Sequence, residues 1–253
     1  MQSKFIFPAL FLLWASVYHA RQNSTDYIQE IRKHDHSKCW HNDVGTSDSI
    51  GLQTMLPEPI GVIGDRYQRF FIHYNTITKS GTNPYQYRVT GKTKVKENIC
   101  DFSGTITILK AGLYTKQFDY RYKQGFAECL VNFNENSIQP SAGFIKGKLT
   151  TKFYLDENGN IQYDDLLFGA DLYFNNQCEA SWTSYTSKIS RKVNWGDYRI
   201  PGNTGFDIGD GEFMIAEKYV NNGWQNYKLA INGDPENEAT KKAAQTEVLE
   251  WWK

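Results

Sequence analysis

Apolar and polar residues alternate along most of the chain between about residues 67 and 185, with the period of two that half-buried β-strands show. The alternation is clearest at Phe102–Ile108, where Ser103, Thr105 and Thr107 separate the apolar side chains. About eight such segments follow one another with short turns between them, which predicts sequential antiparallel pairing. Because closure removes exposed sheet edges, we expect an all-β fold with a single antiparallel up-and-down barrel of about eight strands, rather than a sandwich.

Asn158-Gly159 stands between two of these segments and is the strongest hairpin signal in the sequence. Both positions of such a turn favour positive φ, so we expect a tight hairpin with Ile161–Phe174 as the returning strand. The barrel is predicted over residues 61–190. Residues 191–253 are Gly-rich at first and are predicted to form a wrap on the barrel, followed by a C-terminal helix that begins near Asp234.

The N-terminal region differs from the barrel region. Lys4 and the apolar run Phe5–Trp14 are typical of a secretory signal, so residues 1–20 are predicted to be a signal peptide. An uncleaved anchor helix is the alternative, but the run is short for a bilayer span, and we expect no integral membrane span after removal. The protein is thus predicted to be secreted or periplasmic. Residues 21–60 are predicted to form a polar N-terminal arm.

The charge balance argues against two classes of partner. Lys and Arg together number 28, as do Asp and Glu, so the chain lacks the basic excess of a nucleic-acid-binding protein. It also has no polybasic segment that would favour an anionic membrane surface. Aromatic residues make up 15% of the chain, which fits a β fold.

Four cysteines in an exported chain predict one or two disulfide bonds. Four cysteines allow three connectivities, and the sequence does not select one. We favour Cys100 with Cys129, because both flank consecutive strand segments, and then Cys39 with Cys178.

His34, His36 and His41 lie within eight residues of one another, together with Cys39. Imidazole and thiolate bind zinc and copper, so the three histidines are candidate metal ligands. A disulfide at Cys39 would remove the thiolate, and the histidines would then be ordinary residues of a polar arm. We favour that second interpretation and expect no cofactor.

Paired carboxylates raise the alternative of a carboxylate-dependent hydrolase. Asp164 and Asp165 are adjacent, so on a strand they would point to opposite faces and could not flank one bond. Glu128 and Glu179 could be partners only through tertiary placement. The sequence contains no nucleophile elbow, zinc-protease motif, P-loop or dinucleotide fingerprint, which favours a non-enzymatic protein.

Aromatic and polar residues near the end of the barrel region are candidate ligand-binding residues: Trp182, Tyr185, Trp195, Asp197 and Tyr198. Amphipathic rings with a few polar groups suit a barrel mouth that holds a small apolar or sugar-like ligand. The same rings could instead fill a narrow barrel, since eight strands leave room for side chains or for one small ligand. The first interpretation predicts an exported binding protein, and the second predicts a structural or interaction protein. The sequence leaves the oligomeric state open.

Four segments carry a resemblance: Tyr87–Ile106, Tyr163–Leu166, Asn175–Gln177 and Asn194–Pro201. Together they resemble an uncharacterised group of exported bacterial proteins whose shape is similar to the lipocalin and avidin class of up-and-down barrels. The resemblance covers about residues 67–227. It implies a fold and brings no activity and no functional residues.

Overall fold

A computed structural model describes residues 23–41, 45–47, 53–202 and 204–253 of the chain. The predicted signal peptide lies outside the described residues. The strands are β1 (Ser24–Asp26), β2 (Gly45–Ser47), β3 (Gln53–Met55), β4 (Ile60–Ile63), β5 (Gln68–Lys79), β6 (Gln86–Val95), β7 (Asn98–Tyr114), β8 (Lys123–Glu135), β9 (Gly143–Leu155), β10 (Ile161–Tyr163), β11 (Asn175–Ser184) and β12 (Ser190–Asp197). The helices are α1 (Ile28–Ile31), α2 (Gln225–Asn232) and α3 (Glu238–Glu247), with 3-10 turns at Ser37–Cys39 and Glu217–Tyr219.

Eight of these strands form a closed antiparallel ring. Each of β4 to β9 pairs with the next, β9 pairs with β11, β11 with β12, and β12 closes the ring on β4. The short strands β1 and β10 extend the edges of β7 and β9. The predicted antiparallel barrel of about eight strands, followed by C-terminal helical structure, is therefore confirmed.

The first long strand, β5, carries apolar side chains on both of its faces. Phe70, Ile72 and Tyr74 point into the barrel and are buried. Phe71 and His73 point outward, where the rings of Trp251 and Trp252 lie 5.8 and 4.0 Å from theirs, centroid to centroid. Both faces of β5 are apolar because the C-terminal end of the chain covers the outer face.

The N-terminal segment closes one end of the barrel. We call this the arm end; it is the end at which β5, β7, β9 and β12 finish, and it receives residues 27–41. The backbone N–H of Tyr27 donates to the carbonyl of Ala111 on β7 (3.0 Å). Ile31, Cys39 and Trp40 are buried in the same apolar core as the inner side chains of the strands. The opposite end of the barrel, at which β6, β8 and β11 finish, is the far end.

A second apolar core lies outside the barrel, against the outward side chain of Val62 on β4. Arg69 of β5 is buried beside it and forms a bidentate ion pair with Glu247 of α3 (2.7 and 2.5 Å). The guanidinium also lies 4.8 Å from the ring centroid of Trp224. This core attaches the C-terminal helices to the barrel; its other buried members are Ile200, Phe206, Phe213 and Ile215.

Several element boundaries differ from those predicted. The strand that returns from Asn158-Gly159 ends at Tyr163, and residues 164–174 form turns. Only Gly159 of the hairpin has positive φ (76°), because the carboxylate of Asp156 accepts the N–H groups of Asn158 and Asn160 and so stabilises a different turn. The strand that closes the ring, β12, lies mostly in the segment interpreted as a wrap. Within the described residues, no helix has the length and apolar character needed to cross a membrane.

The predicted disulfide bonds are wrong. Cys39, Cys100, Cys129 and Cys178 are all buried free thiols. Cys129 lies opposite Ile108 in the β7–β8 ladder, which places it eight residues along the strand from Cys100. At about 3.3 Å per residue the two lie roughly 26 Å apart, far beyond the reach of a disulfide.

Candidate functional site

A buried carboxylate at the arm end organises the most polar part of the barrel interior. Asp197, at the end of β12, is 2% exposed. Its Oδ2 accepts hydrogen bonds from the Tyr163 hydroxyl (2.9 Å) and from Nδ2 of Asn176 (2.7 Å). Tyr163 comes from β10 and Asn176 from β11, so three strand ends bring the group together.

Cys39 and Trp40 of the N-terminal segment extend this network. Nδ2 of Asn176 also donates to the carbonyl of Cys39 (2.8 Å), and its Oδ1 accepts from the Thr151 hydroxyl (2.9 Å). The Thr151 oxygen accepts in turn from the indole Nε1 of Trp40 (2.7 Å). Hydrogen bonds therefore run without a break from Trp40 in the arm to Asp197 on the barrel wall.

Burial changes the acidity of this carboxyl group. Burial raises the pKa of Asp197 to about 7, and the negative charge of Glu58 adds to the rise. Two neutral donors oppose the rise without cancelling it, and within the described residues Asp197 forms no ion pair. A carboxyl group with this pKa can take up or release a proton near neutral pH.

The space beside Asp197 is small. A cavity of about 10 Å³ lies between the carboxylate, the rings of Trp40, Tyr74 and Trp195, and Pro59. That volume accommodates about one water molecule. The indole of Trp195 donates to the Tyr74 hydroxyl (3.1 Å), which fixes both rings as walls of the cavity. The arrangement can bind a water molecule and exchange a proton, but it has no room for a sugar or a lipid chain.

A second carboxylate lies close enough to affect the first. Glu58 precedes β4, and its Oε1 lies 2.9 Å from Nδ1 of His73 on the outer face of β5. Its charge contributes to the raised pKa of Asp197. A hydrolase would need a substrate-sized cleft between two such groups, and the space beside Asp197 is that of a single water molecule.

A buried histidine lies beside this network, in the inserted N-terminal segment. His36 is fully buried among the rings of Trp40, Tyr87 and Phe153, and neither of its ring nitrogens has a hydrogen-bond partner among the described residues. Burial lowers the pKa of His36 to about 3, with smaller contributions from His34 and Lys79. The imidazole is therefore neutral in the folded protein at ordinary pH.

The far end contains a buried carboxylate of a different kind. Glu135, at the end of β8, is 6% exposed. Its Oε1 accepts from the Thr93 hydroxyl (2.5 Å), and its Oε2 accepts from the backbone N–H of Gly143 (2.7 Å) and the indole of Trp182 (2.9 Å). Both oxygens are thus hydrogen-bonded by groups on three other strands.

The structure separates the predicted ligand-binding residues into two groups. Trp182 pairs with Arg191, and Asp197 lies six residues further along β12, roughly 20 Å away. Trp182 and Tyr185 belong to the far end, where the ring of Tyr185 packs against Phe144. The others lie toward the arm end, where Trp195 is a buried wall and Tyr198 packs against the rings of Phe168 and Tyr173.

Two of the predicted metal ligands, His34 and His36, contact different groups. His34 is paired with the Tyr27 hydroxyl through Nε2 (3.2 Å), whereas His36 lies deeper among aromatic rings. Among the described residues, no group of three or more His, Cys, Asp or Glu side chains is arranged to hold a metal ion. Burial also raises the pKa of the Cys39 thiol to about 12, so that thiol is not a ready ligand.

Sequence reasoning missed most of the partners of Asp197. Tyr163, Asn176 and Thr151 lie within strands whose alternation assigns them only a face. The signal that could have found them is parity: each shares the inward face of its strand with apolar neighbours, and a polar residue on such a face needs a partner. The contact with Trp40 could not be inferred, because it joins residues 111 positions apart.

Three comparisons with known proteins gave no match: no family model fits the chain, and no curated protein and no solved structure is similar to it.

Proposed function

We propose that the protein is an exported, non-enzymatic interaction protein, in which the barrel is a filled scaffold and the surface contacts the partner. The observation that carries this proposal is the occupied interior. Large side chains from the strands fill it, including Tyr87, Phe133 and Trp195, and Trp40 of the arm packs among them. A scaffold of this kind can bind a partner only through its rim and outer face, because its own side chains fill the lumen.

Free thiols are compatible with export when they are inaccessible. Burial raises the pKa of all four thiols, and each cysteine is buried. Thiolate is the reactive form, so these cysteines would resist oxidation in a secretory compartment.

A second candidate is a binding protein for a small apolar or sugar-like ligand at the arm end. The cavity beside Asp197 favours it, since three aromatic rings and a carboxyl group converge there. A ligand larger than water would have to displace Trp40 and break its hydrogen bond to Thr151. The shape relationship to the lipocalin and avidin class belongs to this candidate and is likewise a proposal.

Native mass spectrometry of the protein purified from its own host distinguishes the two candidates. The filled-scaffold proposal predicts the mass of the polypeptide alone, under conditions gentle enough to keep a known barrel protein bound to its ligand. A stoichiometric added mass of a small molecule would contradict the filled scaffold and favour the ligand-binding protein.

A further inference from the structure

Two loops at the arm end expose large apolar side chains to solvent. The β7–β8 loop (residues 115–122) exposes Phe118 and Tyr120, which are 67% and 95% accessible. The β10–β11 loop (residues 164–174) exposes Phe168 at 50%, with Leu167 and Leu172 beside it in sequence. We call these five side chains the arm-end rim. Exposed apolar groups gathered at one end of a protein mark an interaction surface.

The two loops are neighbours in space, because one side chain holds both. Oε1 of Gln124 accepts the backbone N–H of Phe118 (2.9 Å). Nε2 of the same side chain donates to the carboxylate of Asp164 (3.0 Å). Since Gln124 is 1% exposed, this connection is a fixed part of the structure and the arm-end rim is one surface.

Tyrosine rings form the layer behind the arm-end rim. Tyr122 packs against Tyr154 with ring centroids 4.9 Å apart, and Tyr173 packs against Tyr198 at 5.2 Å. All four are partly buried. Tyrosine is favoured at membrane–water interfaces, because the ring prefers the apolar side and the hydroxyl the polar side.

The path of the N-terminal chain also favours a membrane as the partner of the arm-end rim. The carbonyl of Asn23 accepts both the backbone N–H and the hydroxyl of Thr115 (each 2.8 Å), which fixes residue 23 at the start of the β7–β8 loop. Only eight residues separate Asn23 from the apolar run Phe5–Trp14. Eight residues reach at most about 30 Å, so while the predicted signal is still attached during export, the arm-end rim is the part of the folded barrel beside the membrane that holds this run.

We propose that the arm-end rim docks on the interfacial region of a lipid bilayer. The inference rests on the proposed function, since it names the partner of that interaction surface. Its energy comes from apolar burial and not from charge, because the two loops carry Lys116 and Arg121 against Asp119, Asp164, Asp165 and Asp171. Docking should therefore occur on zwitterionic lipid and change little with salt.

The test measures which end of the barrel meets the bilayer. Tyr120→Cys and Ile138→Cys each place one accessible thiol on a loop, at the arm end and the far end respectively, since Ile138 is 88% exposed in the β8–β9 loop. The four native thiols are buried, so a thiol-reactive, environment-sensitive dye marks the new position. Each labelled protein begins at Arg21, so that the run Phe5–Trp14 cannot itself bind lipid, and is mixed with phosphatidylcholine vesicles whose acyl chains carry a nitroxide quencher. We expect strong quenching and a blue shift at position 120 and neither at position 138.

A paired variant tests the energy of docking. Phe118→Ser with Phe168→Ser should lower the vesicle-bound fraction at fixed lipid about tenfold, since each ring loses part of its burial. The matched control, Ile138→Ser with Ile189→Ser, removes exposed apolar side chains from the far end and should leave binding unchanged.

Equal quenching at the two positions, or no binding to vesicles, would overturn the membrane proposal. A response of the dye at position 120 to a soluble protein fraction but not to vesicles would overturn it too, in favour of a protein partner. None of these results touches the filled interior, which native mass spectrometry tests separately, so the two proposals fail independently.

Discussion

Asp197 at the arm end and Glu135 at the far end are both buried carboxyl groups, and their hydrogen bonds differ. At the far end, Glu135 accepts three hydrogen bonds that reach both of its oxygens. At the arm end, Asp197 accepts two, both at Oδ2, and burial raises its pKa to about 7. Neither forms an ion pair with a residue that the structure describes. The far end is closed by bonds within the barrel wall, whereas the arm end is closed by a segment that inserts from outside the ring.

At the arm end, two buried titratable groups, His36 and Asp197, are uncharged, so they need no ion-pair partner. Burial lowers the pKa of His36 to about 3 and raises the pKa of Asp197 to about 7, so both groups are neutral between these values. Burying two neutral groups costs less free energy than burying two charges that have no partners. The insertion of residues 27–41 therefore depends on packing, on the hydrogen bonds that Trp40 and Cys39 form with the barrel, and on the protonation of Asp197, whereas Glu135 at the far end depends on hydrogen bonds within the barrel wall.

The largest expected effect comes from removing the aromatic ring of the inserted segment. Trp40→Ala should lower the free energy of unfolding by about 3–5 kcal/mol, because it empties a buried site beside Tyr87 and leaves the Thr151 hydroxyl without its donor. Urea denaturation measures the change. Tyr120→Ala is the control and should change stability by less than about 0.5 kcal/mol, since that ring is 95% exposed. A cost for Trp40→Ala as small as the control's would mean that the arm end is not filled as described.

Asp197→Asn tests the proton occupancy of the arm end. The folded pKa of Asp197 is raised to about 7, above an unfolded value near 3.9, so the folded state holds a proton that the unfolded state has lost. Stability from this group is therefore complete below about pH 4 and falls as the pH rises to about 7, by about 4 kcal/mol. The asparagine variant lacks this loss and should gain about that much relative to the unmodified protein between pH 4 and pH 8.

The measurement is the difference in the free energy of unfolding between the two proteins across that pH range. Taking the difference removes the opposite trend from His36, whose lowered pKa makes stability fall as the pH drops from about 6.5 toward 3. Glu157→Gln, at the exposed hairpin, is the control and should give a flat difference. A flat profile for Asp197→Asn would contradict the raised pKa.

How much of this could be predicted from the sequence depends on the range of the contacts. Alternation and short turns depend on neighbouring residues, so the antiparallel barrel was predictable from patterns such as Phe102–Ile108. The short return strand was not, because Asp164 leaves the ladder to meet the side chain of Gln124, 40 positions away. The site was half predictable: Asp197 and Trp195 were named, but the far position of Trp182 follows from strand register, which the sequence does not specify.

At the far end, a smaller effect is expected from Glu135→Gln. The amide keeps one acceptor oxygen but turns an NH2 group toward donors that now lack a partner, which should cost about 2 kcal/mol. Glu128→Gln is the matched control: its carboxylate is exposed in an ion pair with Lys110, and it should change stability by less than about 0.5 kcal/mol. Equal costs for the two variants in urea denaturation would remove the contrast between the ends.

The smallest effect at neutral pH is expected from His36→Phe. It replaces a buried imidazole that has no hydrogen-bond partner among the described residues with an apolar ring among Trp40, Tyr87 and Phe153, and should stabilise the protein by about 1 kcal/mol at pH 7. The gain should grow as the pH falls below 6.5, because only the unmodified protein must then bury a group that its unfolded state protonates. A gain that is constant down to pH 4 would show that His36 has an acceptor or is open to solvent.

Residues 27–41 fill the arm end of the barrel, and hydrogen exchange of the Trp40 indole measures this insertion. In two-dimensional NMR spectra, the indole N–H of Trp40 should be protected as strongly as that of Trp195, since each donates to a buried hydroxyl inside the barrel. Exchange of the Trp40 indole as fast as that of the partly exposed Trp251 would contradict the insertion, and with it the filled barrel.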